Sequence, residues 1–301
     1  MSHDADARDH LTRFLLPRAG VRGVHVHLGE TWQAIAASDD YPPGVRALLG
    51  QAAAASALFT GHVKVDGRLS VQLRGRHALR TLFAECTSEG TLRGIARMAE
   101  GAADVDVDGL ASLGDDAVLA ITIEGAGVGN REATRYQGLV PLDAPDLAGA
   151  FEDYFTRSEQ LPTRILLAAG DDAAVGLMLQ KLPADHGDDD GWERAGALFS
   201  TLGARELAET PAAELLHRLF HEESPEVVGG RPLAFGCSCS RQRVEAMLES
   251  LGRAEAEAAL VEGTATVRCE FCGQAYRFDA ADLDALFTDT RRPMAAPPGL
   301  Q

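Results

Sequence analysis

Four of the five cysteines lie in the last quarter of the chain and form two close pairs, Cys237 with Cys239 and Cys269 with Cys272. Two thiol pairs that a fold brings together are the usual way to supply the tetrahedral thiolate ligands of a zinc ion. The segment between the pairs is long enough for two short helices. The sequence therefore predicts one zinc ion per chain, held by these four side chains.

The same four sulfurs are candidates for a redox switch, because thiolates that hold a metal are also the first sulfurs that an oxidant attacks. Consecutive Cα atoms are about 3.8 Å apart, so Cys237 and Cys239 lie within about 7 Å of each other, and a bend brings them within disulfide range. The same holds for Cys269 and Cys272. Oxidation to Cys237–Cys239 and Cys269–Cys272 bridges is thus sterically open and would consume all four ligands. The alternative is a permanently closed zinc site with no sensing role.

The composition is that of an ordinary globular protein, with 46% hydrophobic and 24% charged residues in a chain of 301. The formal net charge of −17 argues against general nucleic-acid or membrane-surface binding, because those partners are polyanionic. The first residues show no secretory signal, and no apolar stretch reaches the roughly 18 residues that a membrane span needs. We therefore expect a cytosolic protein, in which clustered cysteines are metal ligands or redox centres rather than structural disulfides.

Residues 1–183 are predicted to form an α+β core domain, a mixed or antiparallel sheet covered by helices. Tight turns between several strands favour antiparallel pairing. The predicted strands are Val24–Leu28, Val63–Val65, Leu69–Arg74, Leu79–Cys86, Leu92–Met98, Ala117–Glu124, Thr134–Leu142, Arg164–Ala169 and Val175–Leu182. The predicted helices are one that starts after Pro43 and runs through the alanine-rich Leu48–Phe59, and one over Leu147–Glu159 that Pro162 ends.

Residues 184–230 are predicted to form a helical linker of low stability. The segment opens with an acidic, glycine-punctuated run that is typical of a solvated connector. Two helices are expected beyond this run, over Trp192–Leu207 and Ala212–Phe220. Short helices are marginal in water unless they pack against something else, so the linker is expected to be folded only while it is docked.

Residues 231–290 are expected to form a small zinc-binding domain, followed by a flexible tail over 291–301. So small a module buries little apolar surface. Bound zinc is worth about 10–16 kcal/mol in small peptides at neutral pH, so loss of the ion should melt the module. The elements predicted for it are a helix capped by Ser240 and ended by Gly252, a strand over Thr264–Arg268 and a last helix capped by Asp279.

Several separated segments together with the cysteine pattern carry a family resemblance. They are YPPGVRALLGQAAAASALFTGHVKVDGRLSVQL (41–73), RGIARM (93–98), FEDYFTRSEQLPTRI (151–165) and LHRLFHEE (216–223). With C-S-C and C-E-F-C, the chain resembles the heat-shock protein 33 family of redox-regulated chaperones from about Leu11 to Phe287. All four ligand positions agree with the family pattern.

The resemblance implies a cytosolic holdase that zinc keeps inactive while its thiols are reduced. Oxidants such as peroxide or hypochlorous acid, usually with heat, switch such proteins on. Zinc then leaves, the zinc-binding domain and the linker unfold, homodimers form, and unfolding client proteins are held without ATP. The resemblance thus assigns Cys237, Cys239, Cys269 and Cys272 as the zinc ligands and the switch.

Exposure of apolar surface on linker release is expected to create a client-binding site. The hypothesis assigns part of that site to Trp192, Leu198, Phe199 and Leu202, or to the sheet surface beneath them. The acidic character of the chain is expected to keep the activated protein from aggregating with itself.

Other motifs have simpler interpretations. The glycines Gly125, Gly127 and Gly129 lie between two strands with no helix after them, which indicates a hairpin turn rather than a dinucleotide loop. Cys86 is expected to be a small buried residue near a strand end. Two histidine pairs are expected to serve packing or surface roles rather than to bind metal: His25 with His27, and His217 with His221.

Two other classes of protein use similar cysteines. A zinc-ribbon nucleic-acid binder should show a basic face, whereas the region 231–287 is rich in acids. A thiol-disulfide oxidoreductase places a C-x-x-C pair at a helix start in a β-α-β setting, whereas here the pair follows a late strand. No paired carboxylates, nucleophile elbow or phosphate loop indicates another catalytic activity, so the chain is not expected to be an enzyme.

Overall fold

The computed structural model of the chain describes residues 9–63, 66–125, 134–183 and 186–288. Within them the chain has the mixed α+β fold that the sequence predicts. It forms two compact units, one that ends at Gly236 and one that starts at Cys237. Most of the predicted strand Val63–Val65, Gly127 with Gly129, and the tail 291–301 lie outside the described residues.

Strands predominate in the first unit, and helices are more prominent in the second. In chain order the strands are β1 (Asp9–Leu16), β2 (Val21–Leu28), β3 (Gly67–Arg74), β4 (Leu79–Thr87), β5 (Thr91–Met98), β6 (Val118–Gly125), β7 (Thr134–Val140), β8 (Thr163–Ala169), β9 (Ala174–Lys181), β10 (Glu226–Pro232), β11 (Ala234–Phe235), β12 (Thr264–Arg268) and β13 (Ala275–Asp279). The helices are α1 (Glu30–Ala36), α2 (Pro43–His62), α3 (Leu147–Tyr154), α4 (Gly191–Phe199), α5 (Ala204–Glu209), α6 (Ala212–Phe220), α7 (Arg241–Leu251), α8 (Arg253–Ala258) and α9 (Ala280–Thr288).

The strands of the first unit form two sheets. One has the order β10-β1-β2-β9-β8 and is antiparallel throughout. The other has the order β11-β5-β4-β3-β6-β7 and is antiparallel except where β11 pairs with β5. The antiparallel pairing that the tight turns predict is therefore confirmed. In the described part of the chain, no helix is both long enough and apolar enough to cross a membrane.

Helix α2 packs against both sheets, and this position explains its alanine-rich sequence. One apolar core joins α2 to Val24 and Met178 of the five-stranded sheet and to Val71 and Leu82 of the six-stranded sheet. Small side chains let both sheets approach the helix backbone closely. At Gly50 a Cβ atom would lie only 2.4 Å from the Cβ of Ala169, so this crossing requires glycine.

Some expected elements were wrong or missed. The predicted helix Trp192–Leu207 is two helices, because the hydroxyls of Ser200 and Thr201 donate to carbonyls within the last turn of α4 and compete with helix continuation. Val63 belongs to the end of α2, where its amide donates to the Phe59 carbonyl, and not to a strand. The sequence analysis did not identify α1 or the strands β1, β10, β11 and β13.

The helices α4, α5 and α6 of the predicted linker cover the outer face of the five-stranded sheet. Successive residues of a strand point to opposite faces, so alternate residues of β9 contact α2 and the linker helices. A second apolar core forms on the linker side. The sheet contributes Phe14, Leu16, Val21, Val175, Leu177 and Leu179 to this core, and the linker helices with the turn between α4 and α5 contribute Ala195, Phe199, Leu202, Leu207, Leu215, Leu216, Leu219 and Phe220. We call these six sheet residues the docking face.

A buried ion pair joins the two ends of the helical segment that covers the docking face. Arg194 of α4 donates to both carboxylate oxygens of Glu223, at 2.8 and 2.9 Å. Glu223 is only 2% exposed, so loss of its partner would leave a buried charge uncompensated. Arg194 also contacts Asp188 and Asp190. The pair therefore stabilises the folded linker as one unit.

We expect acid to weaken linker docking through His25. Its cross-strand partner on β9 is Leu177 of the docking face, and burial, with smaller contributions from His27 and His10, lowers the pKa of His25 to about 3. The released form has the ordinary pKa of 6.5, so it binds the proton more readily. The linker is therefore docked most stably above pH 6.5. The free energy of docking becomes less favourable as the pH falls toward 3, by about 2 kcal/mol at pH 5.

The measurement is urea unfolding of the reduced protein at several pH values between 7.5 and 5. His25→Gln is expected to flatten the pH dependence, whereas His221→Gln, which replaces an exposed histidine, should leave it unchanged. If the free energy of unfolding depended on pH as steeply in His25→Gln as in wild type, the assignment to His25 would be contradicted.

Candidate metal centre

Cys237 and Cys239 lie on the segment that leads into α7. The helix start is defined by Ser240, whose side chain accepts a hydrogen bond from the Arg243 amide at 3.2 Å. The Arg243 guanidinium in turn donates to the Ser238 carbonyl at 2.8 Å. The cap predicted at Ser240 is confirmed, and it holds Cys239 immediately before the first turn of α7.

Cys269 and Cys272 lie on the turn between β12 and β13. The Gly273 amide donates to the Cys269 carbonyl at 2.8 Å, and the Cys269 amide donates to the Gln274 carbonyl at 2.9 Å. Gly273 has a φ of 70°, a left-handed conformation that favours glycine. These bonds curl the chain so that both sulfurs face the same side of the turn.

The second unit has a small apolar core. Its buried residues are Val244, Leu248, Ala256, Ala265, Phe278 and Leu283. Arg241 stacks over the Phe278 ring at 4.2 Å and pairs with Asp282 at 3.0 Å. Asp279 accepts from the Asp282 amide at 2.8 Å, which confirms the predicted cap of the last helix. With so few buried side chains, the unit depends on a further stabilising interaction.

The fold brings all four cysteine sulfurs within 4.8 Å of one another. The shortest separations are 3.5 Å between Cys237 and Cys269 and 3.4 Å between Cys239 and Cys272. Sulfurs at the corners of a tetrahedral zinc site with Zn–S bonds of about 2.3 Å would be about 3.8 Å apart. The arrangement therefore fits a metal ion with four thiolate ligands.

The four sulfurs have unequal surroundings. Burial raises the pKa of the Cys237 thiol to about 12. Burial acts in the same direction on Cys239, but hydrogen bonds from Tyr276 and from the other cysteines outweigh it and lower the pKa of Cys239 to about 7. The Tyr276 hydroxyl donates to the Cys239 sulfur at 3.2 Å. Of the two sulfurs that precede α7, Cys239 is therefore the one that becomes a thiolate more readily.

The sequence analysis missed Tyr276. A tyrosine on a short strand is ordinary, and only its place four residues after Cys272 hints at a role near the metal centre. Residues that donate to a ligating atom orient the ligand and adjust the stability of the metal complex. Tyr276 belongs to the candidate site for that reason.

The other sequence-predicted site residues lie in the first unit. Trp192, Leu198, Phe199 and Leu202 all belong to the core on the docking face, where Phe199 and Leu202 are only 8% and 7% exposed. Their predicted role in client binding therefore requires the linker to move. Cys86 is completely buried on β4, as expected, and burial raises the pKa of its thiol to about 11.

The remaining motifs do not form a second metal centre. The rings of His217 and His221 are 5.6 Å apart on α6, but the four cysteines are the one cluster within the described residues that could hold a metal ion. His25 lies buried on β2. Gly125, the last residue of β6, pairs with Thr134, the first residue of β7, which agrees with a hairpin rather than a nucleotide loop.

These features define a class of protein: a two-unit α+β chain whose second unit brings together four thiols that could hold a metal ion. A family model described as Hsp33 protein matches residues 9–279. The chain belongs to the Hsp33 family of chaperones, which confirms the resemblance in its sequence.

Curated relatives and a solved structure agree with this assignment. The 33 kDa chaperonin of Nitrosococcus oceani is 43% identical over 283 residues, which cover 94% of this chain and 95% of the relative. That of Neisseria meningitidis serogroup A is 41% identical over 285 residues, with 94% and 92% covered. The fold is similar to the crystal structure of a 33 kDa chaperonin from Thermotoga maritima, with a TM-score of 0.76 and 22% identity over 93% of this chain and 98% of that one.

Proposed function

We propose that this chain is a redox-regulated, ATP-independent holdase, which binds unfolding proteins under oxidative stress. The observation that supports this most strongly is the docking face, a continuous apolar surface of the five-stranded sheet that lies under α4–α6. An apolar surface of this kind, once uncovered, binds unfolded chains. Release of the linker is therefore the activating step.

The resting form holds one zinc ion per chain through Cys237, Cys239, Cys269 and Cys272. Four soft thiolates in a tetrahedral arrangement favour zinc among the common divalent ions. A site with four protein ligands has no open position for a substrate. The zinc therefore stabilises the second unit rather than serving catalysis, and the protein is not an enzyme.

Oxidation removes the ligands. Two peroxide molecules oxidise the two cysteine pairs: each takes two electrons from the two thiolates of one pair and two protons from solvent, and becomes two water molecules while that pair forms one disulfide bond. The Cys237–Cys239 and Cys269–Cys272 bridges leave no thiolate to hold zinc, so the ion departs. As its ligands are lost, the second unit loses its main stabilising interaction and unfolds with the linker of residues 184–230, so the disulfides are completed in an unfolding segment.

When the linker leaves the sheet, the apolar residues of the linker and those of the docking face both become exposed. Trp192, Leu198, Phe199 and Leu202 become part of the client site, together with the docking face. The activated chains form homodimers, and the net charge of −17 opposes larger aggregates. Unfolded or partly folded proteins are the partners, rather than nucleic acids or membranes, and the reduced thiols suit the cytoplasm.

The test is suppression of light scattering from a thermally unfolding client, with zinc release and free thiols measured on the same sample. Reduced protein should suppress little, and protein treated with peroxide at mild heat should suppress strongly while releasing one zinc ion per chain. Equal suppression before and after oxidation would overturn the proposed regulation.

The order of events predicts which disulfides form. The closest sulfurs in the folded unit belong to different pairs, Cys237 with Cys269 and Cys239 with Cys272. In an unfolded segment short loops close most readily, so bonds made during unfolding should be Cys237–Cys239 and Cys269–Cys272. Peptide mapping without reduction distinguishes the two patterns. A majority of crossed bonds would show that oxidation occurs within the folded unit and contradict the proposed sequence of steps.

Tyr276→Phe is expected to weaken zinc binding about tenfold, because it removes the hydrogen bond to the Cys239 sulfur and leaves the ring in place. Competition with a chromogenic chelator measures the change. Tyr136→Phe, which removes the hydroxyl of a half-exposed tyrosine in the first unit, is the matched control. Identical zinc affinity in both variants would exclude a role for Tyr276.

A further inference from the structure

Three arginines of the first unit line one cavity. Arg13, Arg22 and Arg231 surround a cavity of about 540 Å³ between the five-stranded sheet and the end of α2. Among the described residues, none of the three forms an ion pair with a carboxylate. Unpaired arginines grouped in this way are unexpected in a chain with a net charge of −17.

Strand register places the three side chains in a diagonal row on one face. Arg231 lies opposite Leu11, two residues before Arg13 on β1. Arg13 lies opposite Val24, two residues after Arg22 on β2. Diagonal neighbours on adjacent strands are about 7–8 Å apart, so the row crosses β10, β1 and β2 in two such steps. We call it the arginine row.

The hydrogen bonds of the row leave its positive charge in place. Arg22 donates to the Gln180 side-chain oxygen at 3.1 and 2.5 Å and contacts the His62 ring at 3.0 Å. The Gln180 amide carries no charge. His62 is neutral because burial and the Arg22 charge lower its pKa to about 4. Arg231 donates to the Ser88 carbonyl at 2.6 Å.

Two nitrogens of Arg231 lack partners. Its Nε and Nη2 atoms are buried without a hydrogen-bond acceptor among the described residues. Buried donors on a charged group are costly to leave unpaired. The nearby Cys86 thiol does not neutralise the guanidinium, because burial raises its pKa to about 11. An anion in the cavity would satisfy these donors.

The negative charge around the cavity is smaller than the positive charge of the arginine row. Asp66, which is exposed, also lines the cavity. The carbonyl end of α2 adds about half a negative charge. Three guanidinium groups outweigh these two contributions, so the cavity attracts anions locally although the whole chain repels them.

We propose that the arginine row binds a multivalent phosphate-type oxyanion. Guanidinium groups present paired donors that match phosphate oxygens, and three of them in a row suit linked phosphates better than a single phosphate. All three arginines belong to the first unit and lie on the face of the five-stranded sheet opposite the docking face, and Phe14 of the docking face also borders the cavity. The proposal does not depend on the proposed chaperone cycle.

The test is calorimetric titration of the full-length, reduced, zinc-loaded protein with tripolyphosphate in magnesium-free buffer at constant ionic strength. Orthophosphate is the second probe. Wild type should bind one tripolyphosphate per chain, and orthophosphate at least tenfold more weakly. Arg13→Gln, which changes an exposed side chain, should reduce tripolyphosphate affinity at least tenfold.

Arg74→Gln is the matched control, because Arg74 is an exposed arginine on β3 of the other sheet. The affinity of the Arg74→Gln variant for tripolyphosphate should stay within twofold of wild type. No binding by wild type at millimolar tripolyphosphate, or equal affinities in Arg13→Gln and Arg74→Gln, would overturn the site. Equal affinity for the two probes would overturn the preference for linked phosphates.

Discussion

Cys239→Ser is expected to abolish stoichiometric zinc binding and to unfold the second unit. A serine hydroxyl is a poor substitute for a sulfur whose pKa is lowered to about 7 by hydrogen bonds that outweigh its burial. Structural zinc contributes about 10–16 kcal/mol in small peptides, whereas the core of the unit has six buried apolar side chains among its described residues. Zinc content by atomic absorption and the rate of proteolysis within residues 237–288 measure the two effects.

Cys86→Ser is the control for this variant. It replaces a fifth cysteine that is fully buried on β4 in the first unit, far along the chain from the metal centre. It should keep one zinc ion per chain and an intact second unit. One tightly bound zinc ion in Cys239→Ser would contradict the four-thiolate site.

Phe220→Ala is expected to undock the linker without any oxidant. Phe220 is fully buried and stacks near Phe14 of the docking face, with ring centroids 6.4 Å apart. Truncation of a buried phenylalanine costs about 3–5 kcal/mol, a large part of what three short helices gain by docking. The reduced variant should therefore suppress client aggregation while it still holds zinc.

Leu139→Ala is the matched control, because Leu139 is a large apolar residue that is 66% exposed on β7. It should behave as wild type does, inactive when reduced and active after peroxide. Reduced Phe220→Ala protein that is as inactive as Leu139→Ala would show that the docking face is not the surface that clients bind.

The metal centre was predictable from sequence because its chemistry lies in residue type and spacing. Two close cysteine pairs are the usual source of four thiolate ligands for zinc, and the cap at Ser240 and the turn at Gly273 follow from local rules. Tyr276 was not predictable, because its role depends on a strand register that places its hydroxyl beside Cys239. Local pattern thus identifies the candidate ligands, and tertiary contacts identify the residue that would adjust them.

The elements missed in the first unit were missed for a physical reason. On β1, Leu11 packs toward α2 and Phe14 toward the linker helices, so both faces are apolar and the alternation typical of a strand disappears. β10 is half polar and gains its strand conformation by pairing with β1. The linker helices were predicted, but only the structure reveals which sheet face they cover.

Hydrogen exchange before and after peroxide treatment tests the central claim most directly. The account predicts that amides of residues 191–220 and 237–288 lose protection together as zinc is released, while α2 and the strands β1–β9 of the first unit stay protected. Chaperone activity that appears while residues 191–220 remain protected would contradict the account, because the docking face would still be covered.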